Sequence, residues 1–160
     1  MMNLKNRKPE EMKDSGVEWV EKVPVGWKTV RMKHLSTIVT GTTPPRSNPK
    51  NYENGHMPWI KPDNIQDDFT ISESQEKLTL IGLRQARVVP IGSAIVCCIG
   101  TIGKVAFADQ DLTTNQQINS VIFDKHEQWL GRYGTYSLIA SGEEHKRMSN
   151  RVVVSILNKS

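Results

Sequence analysis

Short apolar runs separated by polar and glycine-rich turns characterise the middle of the chain. Residues 57–60 (MPWI) and 93–99 (SAIVCCI) predict buried strands, because continuous apolar runs between turn signals are typical of them. Residues 104–108 predict a second strand after a tight turn at residues 100–103, so we expect the two strands to form a central hairpin. Residues 118–123 predict a further strand.

Helical spacing is found in two later segments, of which the first is short. In residues 79–88 the apolar side chains of Leu80, Leu83 and Ala86 recur at every third position. Thr79 stands where the N-cap of such a helix is expected. The pattern therefore predicts a short helix whose apolar face carries these three side chains.

The second helical segment covers residues 127–148, with breaks expected at Gly131, Gly134 and Gly142. Its expected apolar stripe comprises Trp129, Leu130, Tyr133, Tyr136, Ser137, Ile139 and Ala140. A longer helical segment thus follows the predicted strands.

Two further segments predict extended chain. Residues 28–39 alternate in part and predict a strand or a strand–turn–strand unit, and residues 151–160 predict a strand or extended chain. All of these elements together predict a mixed α/β (α+β) fold with short strands, a central hairpin and a few short helices.

Composition limits the class of protein. The 160 residues suffice for one domain, and 37% hydrophobic with 24% charged residues is the balance of a globular chain. We expect residues 1–15 to form a mobile, charged leader and residues 16–160 to form the domain. The leader has no apolar core of a secretory signal. The net charge of +4 permits a polyanionic partner without requiring one.

The two cysteines point to a reducing compartment. Cys97 and Cys98 are adjacent in a predicted strand, where a mutual disulfide would be strained. Two buried free thiols in the cytoplasm are the simplest interpretation. An alternative is a small cytosolic hydrolase or transferase that uses Cys98 with a histidine, although buried strand cysteines are usually inert.

Other catalytic or metal-binding patterns are weak. No pair of carboxylates has an enzyme-like position, and the histidines at positions 34, 56, 126 and 145 lack metal-ligand spacing with the cysteines. The segment at residues 100–105 (GTIGKV) resembles a phosphate-binding loop only superficially. Cys98 stands where its first glycine should be, and Val105 replaces the Ser or Thr that would hold Mg²⁺. We therefore predict no ATP site and no metal site.

Loops rich in amide, hydroxyl and basic side chains remain as candidates for DNA contact. Asn and Gln can pair with adenine, and Arg and Lys with guanine or with phosphates. Long loops in compact domains are usually functional or disordered, which favours residues 40–55. The candidate contacts are Thr43, Arg46, Ser47, Asn48, Lys50, Lys61, Asn64, Gln66, Lys104, Asn115 and Gln116. The alternative is that these polar residues only build turns.

An ordered set of motifs resembles a known family. The motifs are GVEW (16–19), GTTP (41–44), MPWI (57–60), VPIGS (89–93), GTIGKVA (100–106) and TNQ (114–116). In this order they resemble the N-terminal target-recognition domain of the specificity (S) subunit of a type I restriction–modification system. Within this resemblance, Trp19, Trp27, Pro58, Trp59, Gly100 and Gly103 are expected to be scaffold residues.

The resemblance implies a division of labour among subunits. Specificity subunits of this family read a bipartite double-stranded DNA sequence, one half per recognition domain. Separate modification subunits bind S-adenosylmethionine and methylate adenine at N6, and separate restriction subunits bind ATP and cut the DNA. We therefore expect this chain to hold no catalytic residue and no cofactor. Its expected partners are DNA, the modification and restriction subunits, and a second recognition domain or second copy.

The resemblance also has a gap. The family's recognition domains are separated by long coiled-coil helices, and no heptad pattern occurs in this sequence. We therefore expect the domain to be truncated before the first long spacer helix, as a half-subunit or an engineered fragment. A half-subunit that acts mainly as a protein-interaction module, competing for the modification subunit, is the alternative.

Overall fold

The computed structural model describes residues 7–18, 20–123, 128–148, 150–151 and 155–156. The contacts between residues divide the chain into two compact units, Met1–His34 and Leu35–Ser160. Each unit is described by itself below.

The first unit contains a small antiparallel hairpin. Strand β1 (Met12–Asp14) pairs with β2 (Lys22–Pro24), and a 3-10 turn at Pro9–Glu11 precedes it. The amide of Val25 donates to the carbonyl of Glu11 at 2.9 Å, which closes the open end. The sequence predicted no element here, because strands of only three residues are too short to show a hydrophobic period. The boundary between a leader and the domain at residue 15 stays a prediction.

The predicted scaffold tryptophans of the first unit receive no support from the structure. The indole of Trp27 is 47% exposed, and Trp19 lies outside the described residues. Within residues 28–39 the chain forms a 3-10 turn at Met32–His34 and enters a strand only at residue 36. The predicted strand is therefore wrong over most of this segment.

The second unit is built in the following chain order. Its elements are β3 (Ser36–Thr40), β4 (Met57–Ile60), β5 (Lys77–Leu78), α1 (Leu80–Leu83), β6 (Ala94–Cys97), β7 (Val105–Phe107), β8 (Thr113–Thr114), β9 (Ile118–Phe123), α2 (Gln128–Ala140), α3 (Gly142–Met148), β10 (Asn150–Arg151) and β11 (Ser155–Ile156). Two 3-10 turns, Pro49–Asn51 and Pro62–Asn64, lie on either side of β4. The mixed α/β class with short strands is confirmed.

A four-stranded antiparallel sheet forms one layer, in the order β3-β9-β6-β7. All four residues of β6 are buried, as predicted for a strand covered on both faces. The predicted hairpin exists, with Ile95 opposite Ala106, but β7 is an edge strand and the hairpin is not at the centre. Strands β9 and β6 are the two interior strands of this sheet. The sequence alone could not predict this order, because strand order depends on pairing between residues far apart in the chain.

A smaller sheet, in the order β5-β4-β8, carries the candidate site. Strand β4 pairs antiparallel with β5 and parallel with β8, so that Trp59 lies opposite Thr113. Strand β4 is found over the predicted residues. Its last residue, Ile60, joins Ile65 and Leu112 in the hydrophobic core, each at most 2% exposed.

Helix α1 is shorter than predicted and has a different buried side. The predicted cap is confirmed: the hydroxyl oxygen of Thr79 accepts hydrogen bonds from the amides of Ile81 and Gly82. Leu80, however, is 77% exposed, so the expected apolar face is wrong. The buried residue is Gly82, where a Cβ atom would overlap the carbonyl oxygen of Asn51. Close backbone contact, and not side-chain burial, fixes this helix.

The predicted helical region at residues 127–148 is confirmed, but its buried face was predicted wrongly. Tyr133 and Tyr136 are 49% and 62% exposed. The buried side consists of Gly131, Gly134, Thr135 and Leu138, which are spaced at i, i+3, i+4 and i+7.

Close approach explains why α2 buries small residues. A Cβ atom on Gly131 would overlap the carbonyl oxygen of Gly92, and one on Gly134 would overlap the ring of Phe123. The two glycines therefore let the helix lie against the sheet and do not break it, contrary to the prediction. The break falls at residue 141, just before Gly142.

The remaining segments add little to the site. Strands β10 and β11 form an antiparallel pair that begins at Asn150, one residue before the segment predicted as extended chain. Residues 152–154 and 157–160 of that segment lie outside the described part. Over the described ranges, the helices are too short or too polar to cross a bilayer.

Candidate nucleic-acid interface

The long loop at residues 42–51 is fixed where it leaves the large sheet. The amide of Thr42 donates to the carbonyl of Thr114 at 2.9 Å, and the indole Nε1 of Trp59 donates to the carbonyl of Thr42 at 3.0 Å. Gly41 precedes the loop at a position where a Cβ atom would overlap the backbone of Thr114 and Asn115. Glycine is therefore required where the loop crosses strand β8.

The far end of the loop is fixed by Tyr52 and Asn51. The hydroxyl of Tyr52 donates to the carbonyl of Pro44 at 2.5 Å, and the amide Nδ2 of Asn51 donates to the carbonyl of Pro45 at 2.9 Å. Asn51 is fully buried, and its Oδ1 accepts a bond from Gln85 Nε2 at 3.1 Å. These bonds hold both ends of the loop against the body of the unit.

The tip of the loop projects into solvent. Ser47, Asn48 and Lys50, all predicted contacts, are exposed. The side chain of Asn48 precedes the 3-10 turn Pro49–Asn51 without capping it. A rigid base with exposed amide, hydroxyl and ammonium groups at its tip is suited to contact a ligand surface.

Five side chains in or next to the loop and strands β4 and β5 form a compact group, which we term the Glu76 cluster: Arg46, Tyr52, Trp59, Lys61 and Glu76. Arg46 donates from Nη1 to Glu76 Oε1 at 2.7 Å and from Nη2 to Oε2 at 3.2 Å. Lys61 Nζ binds the same Oε2. The Arg46 guanidinium lies 5.4 Å from the Tyr52 ring centroid and 5.3 Å from that of Trp59. Two predicted cations thus share one carboxylate on an aromatic base.

The electrostatics of the cluster follow from this arrangement. The hydrogen bond from Arg46 lowers the pKa of Glu76 to about 2, with help from Lys61 and against the effect of burial. The same bond raises the pKa of Arg46 above its ordinary value. Burial raises the pKa of Tyr52. At neutral pH the cluster therefore holds an ionised carboxylate between two cations.

The next predicted contacts lie around the turn Pro62–Asn64. Asn64 Oδ1 accepts a bond from the amide of Lys61 at 2.9 Å, which ties the amide side chain to its own turn. Gln66 is exposed, and its Nε2 makes only long bonds of 3.4 and 3.5 Å to nearby carbonyls. Base reading by Asn64 stays a prediction, which this internal bond disfavours.

Lys104 is also engaged within the chain. Its Nζ donates to the carbonyl of Ile65 at 3.2 Å and lies 3.6 Å from Asp67 Oδ1. The residue precedes strand β7 and not a helix, in agreement with the exclusion of a phosphate-binding loop. Gly100 and Gly103 have φ values of +78° and +93°, which supports their predicted role in the turn.

The TNQ motif contributes one buried and one exposed amide. Asn115 is 5% exposed; its Nδ2 donates to Gln117 Oε1 at 2.8 Å and its Oδ1 accepts from the Gln117 amide at 3.0 Å. These bonds indicate a structural role for Asn115. Gln116 is exposed and accepts a bond from the hydroxyl of Thr43, which joins two of the predicted loops.

The structure thus brings together some of the predicted contacts and shows positioning residues that the sequence did not. Thr43 and Gln116 touch, and Arg46 and Lys61 share Glu76. Glu76 was missed because its partners lie 30 and 15 residues away in the sequence. Tyr52 and Asn51 were missed because they bind backbone carbonyls of the loop, which no side-chain pattern reveals.

The two cysteines, Cys97 and Cys98, are buried thiols. Burial raises the pKa of Cys97 to about 12. Cys98 Sγ lies 3.1 Å from the carbonyl of Gln117. A buried thiol whose pKa is raised supplies little thiolate at neutral pH.

A family model decides the class of the chain. The model described as type I restriction modification DNA specificity domain matches residues 24–160. The chain belongs to this family. The resemblance found in the sequence is confirmed, and the assignment to a specificity domain replaces the alternative of a Cys98-dependent hydrolase.

Two curated relatives carry names consistent with the family. The chain is 34% identical over 107 residues to the type I restriction enzyme HindI specificity subunit of Haemophilus influenzae, covering 66% of this chain and 23% of that protein. It is 29% identical over 107 residues to the MjaIX specificity subunit of Methanocaldococcus jannaschii, covering 64% and 24%. The matched region thus spans about a quarter of these relatives.

Solved structures share the fold of this specificity domain. The HsdS subunit from Thermoanaerobacter tengcongensis aligns with a TM-score of 0.64 at 18% identity, covering 92% of this chain and 36% of that one. A chain from a structure on complex assembly and conformational transition of the type I R-M system gives the same TM-score and identity, covering 88% and 33%. At this identity the likeness concerns the fold.

Proposed function

We propose that this specificity domain binds double-stranded DNA and reads one half of a bipartite recognition sequence. The family match over residues 24–160 is the observation that carries the proposal. In the proposed system, partner modification and restriction subunits supply S-adenosylmethionine-dependent adenine N6 methylation and ATP-dependent cleavage. The chain itself needs no cofactor, and it acts in the cytoplasm, in keeping with its two free thiols.

The anchored loop at residues 42–51 is the proposed reading surface. Lys50 supplies an exposed cation for the phosphate backbone, while Asn48 and Gln116 supply exposed amides for base edges. Thr43 connects the loop to Gln116, so both groups of amides are presented from one connected region. Ser47, Gln66 and Lys104 remain proposed contacts, and Arg46 and Lys61 become contacts only where they leave Glu76.

The proposal is tested with the full chain. A duplex pool is selected for binding, and affinities for the selected and random duplexes are then measured by fluorescence anisotropy over a range of salt concentrations. Lys50→Gln should weaken binding to all duplexes alike and reduce the slope of log K against log salt by about 0.9. Asn48→Ala should relax preference at one base pair by about 1–3 kcal/mol.

The matched control for Lys50 is Lys77→Gln. It removes the same charge from β5, where the ammonium already lies 3.6 Å from Glu73. It should change the slope less than Lys50→Gln. The proposal fails if the wild-type chain forms no complex with any duplex at low salt and protein concentrations of about 100 μM, where non-specific DNA binders associate. It also fails if selection yields no preferred sequence.

A further inference from the structure

Two of the cations on the proposed DNA-binding surface already share one carboxylate within the chain. Both terminal nitrogens of Arg46 bind the carboxylate of Glu76, and Lys61 Nζ binds one of the same oxygens. The three groups together carry one net positive charge instead of two. The sequence alone predicted Arg46 and Lys61 as two available phosphate ligands.

The backbone of Glu76 is held in place beside the small sheet. The amide of Trp59 donates to the carbonyl of Glu76 at 3.1 Å, and the hydroxyl of Ser74 donates to the same carbonyl at 2.7 Å. The side chain of Glu76 is 27% exposed, whereas that of Arg46 is 58% exposed. Glu76 thus combines an anchored backbone with a side chain that is less exposed than that of Arg46.

The ring of Trp59 favours the closed arrangement, in which Arg46 and Lys61 are both bound to Glu76. Trp59 is 2% exposed, and its ring contacts both cations, with Arg46 Cζ at 5.3 Å and Lys61 Nζ at 5.7 Å from its centroid. Cation–π attraction adds to the ion pairs in holding these groups beside Glu76. Two of the five donors of Arg46 are engaged by the carboxylate.

An ion pair of this kind changes how strongly a cation can bind DNA. Lys and Arg bind the duplex backbone largely by neutralising phosphates and releasing their counterions. A cation that already has a carboxylate partner exchanges one anion for another, and so contributes less to the affinity. Lys50, at the exposed tip of the loop, has no ion pair with any described carboxylate and contributes the full amount.

We propose that Glu76 is a positioning residue that limits sequence-independent binding to the phosphodiester backbone by holding Arg46 and Lys61 in the closed cluster. The proposal rests on the proposed DNA-binding function. It assigns to Glu76 the role of keeping the general affinity of the surface for phosphates low, and leaves base reading to the loop amides.

The direct test compares Glu76→Gln with Glu73→Gln in the full chain. Both substitutions remove one negative charge, but Glu73 is 80% exposed and lies near Lys77 instead of Arg46. Binding of random duplexes is measured by anisotropy from low to moderate salt. Glu76→Gln should steepen the salt slope by about 0.9 for each additional phosphate neutralised, which is about 8-fold tighter binding per phosphate at 0.1 M salt. Glu73→Gln should leave the slope near that of the wild type.

A second comparison does not depend on how the Glu76 variant folds. Lys50→Gln and Lys61→Gln remove equal charges, one from the loop tip and one from the closed cluster. The slope for random duplexes should fall by about 0.9 for Lys50→Gln and by clearly less for Lys61→Gln, because Lys61 shares the charge of Glu76. Equal losses for the two variants would show that Lys61 acts as an independent phosphate ligand and would overturn the proposal.

The two proposals fail in different ways. Absence of any duplex binding by the wild-type chain would remove the proposed function. If the wild type binds and selects a sequence, but Glu76→Gln binds random duplexes equally or more weakly, only the role of Glu76 is refuted. Weaker binding in that case would mean that the carboxylate presents Arg46 to DNA and does not withhold it.

Discussion

Acidification should remove the stability that Glu76 contributes to the fold. The pKa of Glu76 falls from an ordinary value of 4.5 to about 2 in the folded chain, mainly through its bond with Arg46. A group whose folded pKa is depressed stabilises the fold above its unfolded pKa. The contribution is therefore complete near pH 7 and is lost as the pH falls from about 5 to about 2.

The structure sets the size of this effect. A difference of about 2.5 pKa units corresponds to an upper limit of about 3 kcal/mol. The Glu76 side chain is 27% exposed and the Arg46 side chain 58% exposed, so solvent screens the pair. We therefore expect about 1–2 kcal/mol at neutral pH.

The assay is urea unfolding of the wild type and Glu76→Gln at several pH values between 7 and 2. The wild type should be the more stable by about 1–2 kcal/mol at pH 7, and this difference should shrink as the pH approaches 2. Asp68, whose pKa is also lowered, through its bonds with Thr70, is present in both proteins, so its effect cancels. A difference that stays constant from pH 7 to pH 2 would refute the ion-pair explanation, and Glu73→Gln should show no comparable dependence.

Three further predictions concern the scaffold. Gly131→Ala should lower the melting temperature, with a net destabilisation of about 1–2 kcal/mol. The added methyl group would overlap the Gly92 carbonyl, and this cost outweighs the gain in helix propensity of about 1 kcal/mol. A stabilised variant would contradict the close packing of α2. Thr79→Ala should cost about 1 kcal/mol in urea unfolding and Thr79→Ser much less, because only the hydroxyl caps α1; equal losses would point to the methyl group instead. In a Cys98→Ser variant, the thiol of Cys97 should react slowly with a disulfide reagent at pH 7–8 while the chain is folded, and rapidly once urea unfolds it. A fast reaction without urea would contradict the burial and the raised pKa of Cys97.

The sequence could predict the parts of the fold that depend on local pattern. Strands β4, β6 and β9 were found because each carries a run of apolar residues, and the cap at Thr79 because its chemistry is local. The faces of α1 and α2 were predicted wrongly. In both helices glycines touch the neighbouring backbone or ring, and a hydrophobic pattern contains no information about such close approach.

The sequence alone determined the family and the loops that carry the candidate polar residues, because the short motifs and their order can be identified in the linear chain. The tertiary structure decided which of those residues remain available to a partner. It ties Asn64 and Asn115 to residues within their own turns, leaves Asn48 and Lys50 at an exposed tip, and places Glu76 between Arg46 and Lys61. The two ion pairs of Glu76 join residues 30 and 15 positions apart, so they arise only when the chain folds and no local pattern could reveal them.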